Sequence, residues 1–454
     1  MTKSLNEIQH MFFLGIGGIG MSALARHFHG SGIHVRGYDK TYSDLTQALQ
    51  NEGIEVIYTD DLSLIGQTPD MVIYTPAVSA DNKLLQYFHN MEVPILKRAK
   101  VLGMLSETIP TIAVAGTHGK TTICAMLTHI MKYAGRPCLS FLGGISLNYN
   151  SNYIGDAQAE WLIAEADEFD RSFLHLKPVL ALISAVDSDH LDIYESRKKL
   201  LESFELFIQS IDPNGHLLFR KGVEKELTIE NRATDYHIDP PAGYFFNNID
   251  ILDGRYRASI DGKLQLKGIS LQHPGRHNME NALGAAALAH WAGVSPEDIR
   301  DGLNSFTGVK RRFEIHLQTK NTIYVDDYAH HPTEIKACIG SAREMWPGKK
   351  VTGIFQPHLF SRTRDLAGDF AESLEQLDEV ILLDIYPARE KPIQGVDSQM
   401  IINKIKKTKA QHMTKQKMVE YLSKQPTEVV LTMGAGDIDR LCQTIKKSLM
   451  QKQL

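Results

Sequence analysis

Gly116, Thr117, His118, Gly119, Lys120, Thr121 and Thr122 follow an apolar run, "TIAVA", and open a helical one, "KTTICAMLTHIMKYAG". Glycines that bare backbone amides, an ammonium and two hydroxyls are the residue types that hold a polyphosphate. The amides and Lys120 would cradle β- and γ-phosphates, and the Thr121 hydroxyl offers a ligand to Mg2+. The loop is short, because Val114 stands where a standard G-x-x-x-x-G-K-[ST] loop begins with Gly. Mg2+ takes oxygen ligands, so carboxylates should stand at neighbouring strand ends. "EADEFD" puts Glu165, Asp167, Glu168 and Asp170 past one buried run, and "DSDHLD" puts Asp187, Asp189, His190 and Asp192 past the next. Acid runs are ordinarily solvated loops. These two follow apolar strands of one sheet, at the edge where open α/β sheets bind ligands.

A second phosphate-type loop lies about a hundred residues earlier, with Gly15, Gly17, Gly18 and Gly20 between an expected strand and an expected helix. Glycines there permit a tight turn, and the helix N-terminus faces its free N–H groups toward a pyrophosphate. Asp39, at the end of the next strand, sits where a dinucleotide fold puts its ribose-binding carboxylate. Taken alone, the motif allows three readings: NAD(P) or FAD binding, as in a dehydrogenase; a nucleotide-sugar pyrophosphate; or a turn that merely lets strand and helix pack closely.

Positioning these loops requires repeated strand–helix units. The sequence predicts strands at 11–15, 33–39 and 71–77 with helices at 21–30 and 44–53. A second unit has strands at 111–116, 161–166 and 178–186 and a helix at 120–135. Residues 213–270 are rich in turn signals and short alternating runs, a β-rich excursion, after which 278–294 returns to a helix. The pattern restarts with strands at 322–329, 350–358, 379–386 and 428–436. The expectation is an α/β chain of three domains: a Rossmann-like domain (1–106), a central P-loop ATPase-like α/β domain with a β-rich excursion (107–312), and a C-terminal Rossmann-like α/β domain (313–454).

The composition fits such a chain. With 454 residues, 43% hydrophobic and 23% charged, it has ample core material, and a net charge of -5 argues against a general nucleic-acid or membrane-surface binder. No run reaches the length of a membrane span and the N-terminus lacks a signal-peptide stretch, so a cytoplasmic location is expected. Cys124, Cys138, Cys338 and Cys442 are scattered, with no C-x-x-C pair. That reads as reduced, mostly buried thiols, not a disulfide framework or a zinc site.

In order along the chain, "GIGGIGMSALA", "AVAGTHGKTT", "EADEFDRSFLHLKP", "SDHLDIY", "PGRHNMENALGAA", "VKRRFE", "VDDYAHHPTEI", "FQPHLFSRTRDL" and "GAGDI" resemble the Mur ligase family, the ATP-dependent ligases of peptidoglycan precursor synthesis. The family's loop has the shortened form G-T-[HN]-G-K-T-T. His118, "FLHLKP" and "FQPH-x-x-SRTRDL" are most like the member that adds the first amino acid, L-alanine, to UDP-N-acetylmuramate. A related ligase that recycles a tripeptide onto the same acceptor shares the first loop.

The resemblance implies that Gly15, Gly17, Gly18, Gly20 and Asp39 hold the UDP end of the substrate, so that the first loop serves no redox cofactor. It implies ATP and Mg2+ at Gly116–Thr122, with Lys120 on the γ-phosphate, Thr121 and Glu165 on one Mg2+, and His190 on a second. His277, Asn278 and Asn281 would contact adenine, Arg312 a phosphate and Asp327 the ribose. Tyr328, His330, His358 and Arg362 would line the amino-acid pocket, where a guanidinium suits a carboxylate. His330 and His358 are candidates for the base that takes the amine's proton. Two positions depart from the family pattern: Leu359 stands where members often carry Arg, and Ala185-Val-Asp187 where relatives often have Asn and Glu. Arg364 is then either a substitute for the missing guanidinium or a surface residue. The sequence leaves monomer and homodimer open.

Overall fold

The computed structural model describes residues 5–187, 194, 196–229, 232–252, 255–273, 275–388 and 390–451. They form two compact units, one of Met1–Asn248, Ala258–Ile269 and Glu280–Phe306, the other of Ile249–Arg257, Ser270–Met279 and Thr307–Leu454. Three sheets run through the chain, matching the expected three-fold α/β organisation.

The first sheet has five parallel strands, β1 (His10–Leu14), β2 (His34–Tyr38), β3 (Glu55–Ile57), β4 (Met71–Tyr74) and β5 (Ile95–Lys97), in the order β3-β2-β1-β4-β5. The chain leaves β1 at the point where this order reverses, the place where open α/β sheets accept ligands. The glycine loop occupies that turn and runs into the helix Ile19–Gly30. Gly37 on β2 has no room for a side chain: a Cβ there would lie 2.6 Å from Ile16 Cδ1 and 2.7 Å from the Phe13 carbonyl. The loop therefore packs directly on the sheet.

The central sheet contains β6 (Thr111–Ala115), β7 (Cys138–Ser146), β8 (Ser151–Gly155), β9 (Trp161–Ala166), β10 (Leu180–Ile183), β11 (His216–Arg220), β12 (Ala233–His237), β13 (Tyr244–Leu252), β14 (Arg255–Gly262) and β15 (Leu266–Leu271). Its order, β15-β14-β13-β12-β11-β10-β6-β9-β7-β8, puts β6 between β9 and β10, both parallel to it. β6 is buried throughout, the continuous apolar run expected of a parallel strand covered on both faces. The β-rich excursion is β11–β15, and the predicted helix after it spans Arg276–Trp291. In the second unit, β16 (Glu314–Gln318), β17 (Ile323–Asp327), β18 (Val351–Phe355), β19 (Glu379–Leu382), β20 (Lys409–His412) and β21 (Val429–Met433) are ordered β16-β17-β21-β18-β19-β20, with β16 antiparallel to β17. All four cysteines are free and buried. Among the described residues no helix is long and apolar enough to cross a membrane.

The sequence does not announce the edge strands β3, β5, β8, β16 and β20, nor β7, which pairs with β8 and β9. Several are short or half polar, so they lack the apolar run that marks β6 or β21. It also ran β10 from 178 to 186, whereas the ladder stops at Ile183 and leaves Ser184–Asp187 as a loop beside the phosphate-type turn.

Inside the first unit, the glycine-loop helix docks on the central sheet. Buried Asn152 on β8 donates to the Ile19 carbonyl at 2.5 Å and to Ser22 Oγ at 3.0 Å. His27 of the same helix meets Tyr153 Oη at 3.0 Å and packs against Phe28 and Phe141. Burial holds its imidazole down at about 4. The folded chain therefore carries His27 neutral, while the unfolded chain protonates it below about 6.5. The stabilisation is complete above pH 6.5 and is lost as pH falls through the folded value, by up to about 3 kcal/mol. Urea midpoints measured at pH 8 and pH 5 should drop on acidification, and the drop should be smaller in His27→Gln. An equal drop in both proteins would remove His27 from the account.

Candidate active site

The chemistry-bearing loops of the first unit lie at the C-terminal ends of β6, β9 and β10. After β6 the chain turns through Gly116 (φ +122°) and Gly119 (φ +83°), left-handed values that side chains rarely adopt. Gly119 caps the helix Lys120–Tyr133 without a side chain, so the helix N-terminus is open. A Cβ on Gly119 would collide with Asn281 Oδ1, which brings that amide against the loop. The turn is tied to the next strand end: Thr117 N–H donates to the Ala185 carbonyl at 3.0 Å, and Ser184 Oγ donates to the His118 carbonyl.

Lys120 Nζ lies in this cage, donating to Glu168 at 2.7 and 2.9 Å and to the Gly116 carbonyl at 2.6 Å. The Glu168 side chain has no exposed surface. Burial pulls the Lys120 pKa down, but Glu168, Asp167 and Glu165 outweigh it, and the ammonium is held above its ordinary range. Glu165 is the fifth residue of β9, inside the strand expected at 161–166. Its Oε2 accepts from Thr121 Oγ1 at 3.1 Å, and its Oε1 accepts from the Gly143 amide. Burial raises its pKa, against the Gly143 amide, Lys120 and Thr121, which favour the carboxylate. The Thr121–Glu165 pair is all oxygen, the donor set that a hard cation such as Mg2+ takes.

His118 Nε2 and Asp187 Oδ2 are 3.3 Å apart, and the His118 hydrogen bond is the main reason Asp187 titrates below its ordinary range. Asp187, at one of the positions that depart from the family pattern, thus faces the loop residue His118. His190, Asp189 and Asp192 lie outside the described residues. Thr122 is buried on the helix; Asn278 and Asn281 are buried three apart on the helix Arg276–Trp291, whereas His277 on the same helix is exposed.

In the first glycine loop, Gly15 has φ +83°. Asp39 accepts from the Gly17 amide at 2.8 Å and the Thr41 amide at 2.9 Å, so it shapes the loop from below. Gly18 precedes the helix with no side-chain cap, leaving first-turn amides available, and a Cβ at Gly20 would meet Arg98 Nη1 at 2.9 Å.

In the second unit, the ends of β17, β18 and β19 bring another set together. Both Asp327 oxygens are used by backbone, Phe313 N–H and Ala329 N–H each donating at 2.7 Å. Burial is the largest influence on its pKa, pushed up to about 6, with Arg312 acting in the opposite sense. The Arg311 and Arg312 guanidinium carbons lie 5.2 and 5.4 Å from the Tyr328 ring centre. Tyr328, His330, His358 and Tyr386 form a column of aromatic contacts, with successive centroids 5.2, 6.2 and 5.9 Å apart. His330 Nδ1 lies 3.2 Å from Glu334 Oε2 and 3.1 Å from the Tyr328 carbonyl. Burial lowers its pKa, against Glu334, which raises it. Arg362 Nη1 is buried without a hydrogen-bond partner, an unused donor suited to an anion. Arg364, by contrast, is exposed and paired with its neighbour Asp365 at 2.7 Å. Leu359 precedes the helix Phe360–Leu374 at φ +70°.

Sequence reasoning did not single out Tyr386, Glu334 or Arg311. Glu334 carried a usable signal, four residues beyond His330. Tyr386 follows a different strand, and nothing local marks it.

The wider relationships of the chain agree with this arrangement. Three domain models match it in succession: "Mur ligase family, catalytic domain" over residues 10–109, "Mur ligase middle domain" over 114–289, and "Mur ligase, glutamate ligase domain" over 311–436. A UDP-N-acetylmuramate–L-alanine ligase of Parabacteroides distasonis is 44% identical, covering 99% of both chains. A protein of the same description from Cytophaga hutchinsonii is 45% identical, covering 98% of this chain and 97% of that one. Among solved structures, the UDP-N-acetylmuramate-alanine ligase of Thermotoga maritima superposes with a TM-score of 0.82 at 28% identity, covering 98% of this chain and 99% of that one. With three consecutive domain matches and near-complete alignment to these relatives, the chain belongs to the Mur ligase family.

Proposed function

We propose that this chain joins the amino group of L-alanine to the lactoyl carboxylate of UDP-N-acetylmuramate, converting ATP to ADP and phosphate, as a cytoplasmic step of peptidoglycan precursor synthesis. The observation that carries this reading is the identity of 44–45% over 98–99% of the chain to relatives described by that activity. The phosphate-type loop with its Lys120, Thr121 and Glu165 supports it independently.

A carboxylate does not acylate an amine at neutral pH because oxide is too poor a leaving group. In the proposed reaction a carboxylate oxygen attacks the γ-phosphorus of ATP, the bond to the bridging oxygen breaks, and ADP departs. The amine then attacks the carbonyl carbon of the acyl phosphate, and phosphate leaves with the C–O electron pair. The obstacle in the first step is repulsion between anions, so positioned positive charge is the main lever. Lys120 provides it from inside the loop, exchanging Glu168 for the γ-phosphate. Thr121 and Glu165 would hold Mg2+, which would supply further positive charge, and His190 would hold a second such ion. Asn278 and Asn281 present amides that suit an adenine edge, and Arg312 and Asp327 are assigned to phosphate and ribose. The first glycine loop, with Asp39 behind it, takes the UDP pyrophosphate.

In the amino-acid pocket Arg362 Nη1 is the donor for the L-alanine carboxylate. His330 is the base: with Nδ1 turned to Glu334 and the Tyr328 carbonyl, and with burial favouring the neutral ring, Nε2 keeps a lone pair for the ammonium proton.

Phosphate release with UDP-N-acetylmuramate and ATP should require L-alanine when single amino acids and the tripeptide are screened; activity with the tripeptide alone overturns the assignment. In the same assay Lys120→Ala should lower L-alanine-dependent ADP release by about a hundredfold or more, with binding of the UDP substrate little changed. Normal turnover in that variant removes Lys120 from the ATP site. Arg362→Ala should raise the KM for L-alanine by about tenfold to a hundredfold, the worth of a charged hydrogen bond. Arg364→Ala should leave it unchanged, and the reverse ranking would exchange the two roles.

A further inference from the structure

Beside the candidate active-site side chains, and starting from the residue before Asp327, the second unit brings together three residues that the sequence keeps far apart. His316 stands on β16, Asp326 on β17, and Cys442 opens the helix Cys442–Gln451. One donor atom from each, an imidazole nitrogen, a carboxylate oxygen and the thiol sulfur, lies within 4.8 Å of the other two. Asp326 has no exposed surface and Cys442 is 5% exposed. His316 Nε2 is shut off from solvent and makes no hydrogen bond. A buried ring nitrogen left unpaired is costly unless something else uses its lone pair. Glu314, the ladder partner of Asp326, stands beside this set, its Oε1 3.7 Å from His316 Nε2.

The groups around the cluster are those that orient metal ligands. Thr432 Oγ1 donates to Asp326 Oδ1 at 2.6 Å and Arg311 Nε to Asp326 Oδ2 at 3.1 Å, which leaves each oxygen a second lone pair. The Tyr324 ring stacks on His316 with centroids 5.3 Å apart, fixing the imidazole plane. Charge balance also favours a dication. The carboxylates of Asp326, Asp439 and Glu314 gather around Arg311, an excess of negative charge over its one guanidinium that a divalent ion would offset.

We propose that His316, Asp326 and Cys442 form a binding site for a divalent ion of the zinc class, with the Glu314 carboxylate beside it. A mixed nitrogen, oxygen and sulfur set selects zinc or cobalt over magnesium, which prefers oxygen alone. The ion clamps the antiparallel β16–β17 pair to the C-terminal helix. On binding, the Cys442 thiol loses its proton to solvent as the S–metal bond forms, with no change of oxidation state. The absence of a C-x-x-C pair concealed this site from sequence analysis, because its ligands come from three separate elements.

Cobalt is the probe, since thiolate coordination gives a near-ultraviolet charge-transfer band that an all-oxygen site such as Thr121–Glu165 cannot produce. Co2+ titrated into the metal-free full-length chain should raise that band to saturation at one equivalent. The band should be absent in Cys442→Ser, and His316→Ala should need at least about tenfold more Co2+, while Cys338→Ser behaves as the unsubstituted chain. Zn2+ should bleach the band and raise the melting temperature of the unsubstituted chain but not that of Cys442→Ser. Failure of the band to appear in the unsubstituted chain, or its persistence in Cys442→Ser, overturns the proposal.

Discussion

The first unit's phosphate-type loop depends on one buried ion pair, Lys120 with Glu168. Removing two charges from water is costly, and their attraction repays it only when the remaining donors are also satisfied. Here the ammonium's further donor goes to the Gly116 carbonyl, so the loop's own backbone completes the cage. Glu168 is held in turn from behind, since Tyr194 Oη donates to its carbonyl. The consequence is a preorganised cation in a site that water scarcely reaches. A triphosphate bound there, as proposed, would meet a lysine already desolvated and already charged, which is the condition under which a positioned charge acts most strongly.

Each sheet then repeats the same logic. Parallel strands end their buried apolar runs together, so the loops beyond them meet at one edge. In the central sheet these loops are Gly116–Gly119 and Ser184–Asp187, with Glu165 on the neighbouring strand end. In the C-terminal sheet they carry Asp327, His358, Tyr386 and Gly434. No loop builds a site alone, and residues distant in sequence become neighbours because the strand order is interleaved, as with β9-β6-β10 and β17-β21-β18.

That arrangement explains what could be read from sequence. β6, β18 and β21 are fully buried, so their apolar runs announce strands, and glycine punctuation marks the loops after them. Lys120, Thr121 and Arg362 fall in motifs whose residue types already state their chemistry. Tyr386 and Glu168 were harder. Tyr386 enters through a stack with His358 across two strand ends, and Glu168 looked like one acid among several until its full burial distinguished it. The cluster of His316, Asp326 and Cys442 was illegible for the same reason, as periodicity within an element says nothing of side chains from three elements meeting. Edge strands such as β20 carry too little apolar pattern to be seen.

Backbone strain gives a separate view of where the fold is committed to function. Non-glycine residues at positive φ include Asp170 and Arg171 beside the Lys120 cage, Arg311 and Phe313 before β16, and Leu359 before the helix Phe360–Leu374. Each such residue costs on the order of 1–3 kcal/mol and persists only where its surroundings over-determine it. The surroundings here do so: Arg171 N–H donates to the Glu168 carbonyl, Arg311 N–H to Glu314, Phe313 N–H to Asp327, and Leu359 N–H to the Tyr386 carbonyl. The acceptors are the groups that the two sites are built from. Leu359 is the instructive case. It holds a conformation no leucine prefers. The constraint at that position lies in the turn that sets His358 against Tyr386 and aims the following helix, with Arg362 on its first turn.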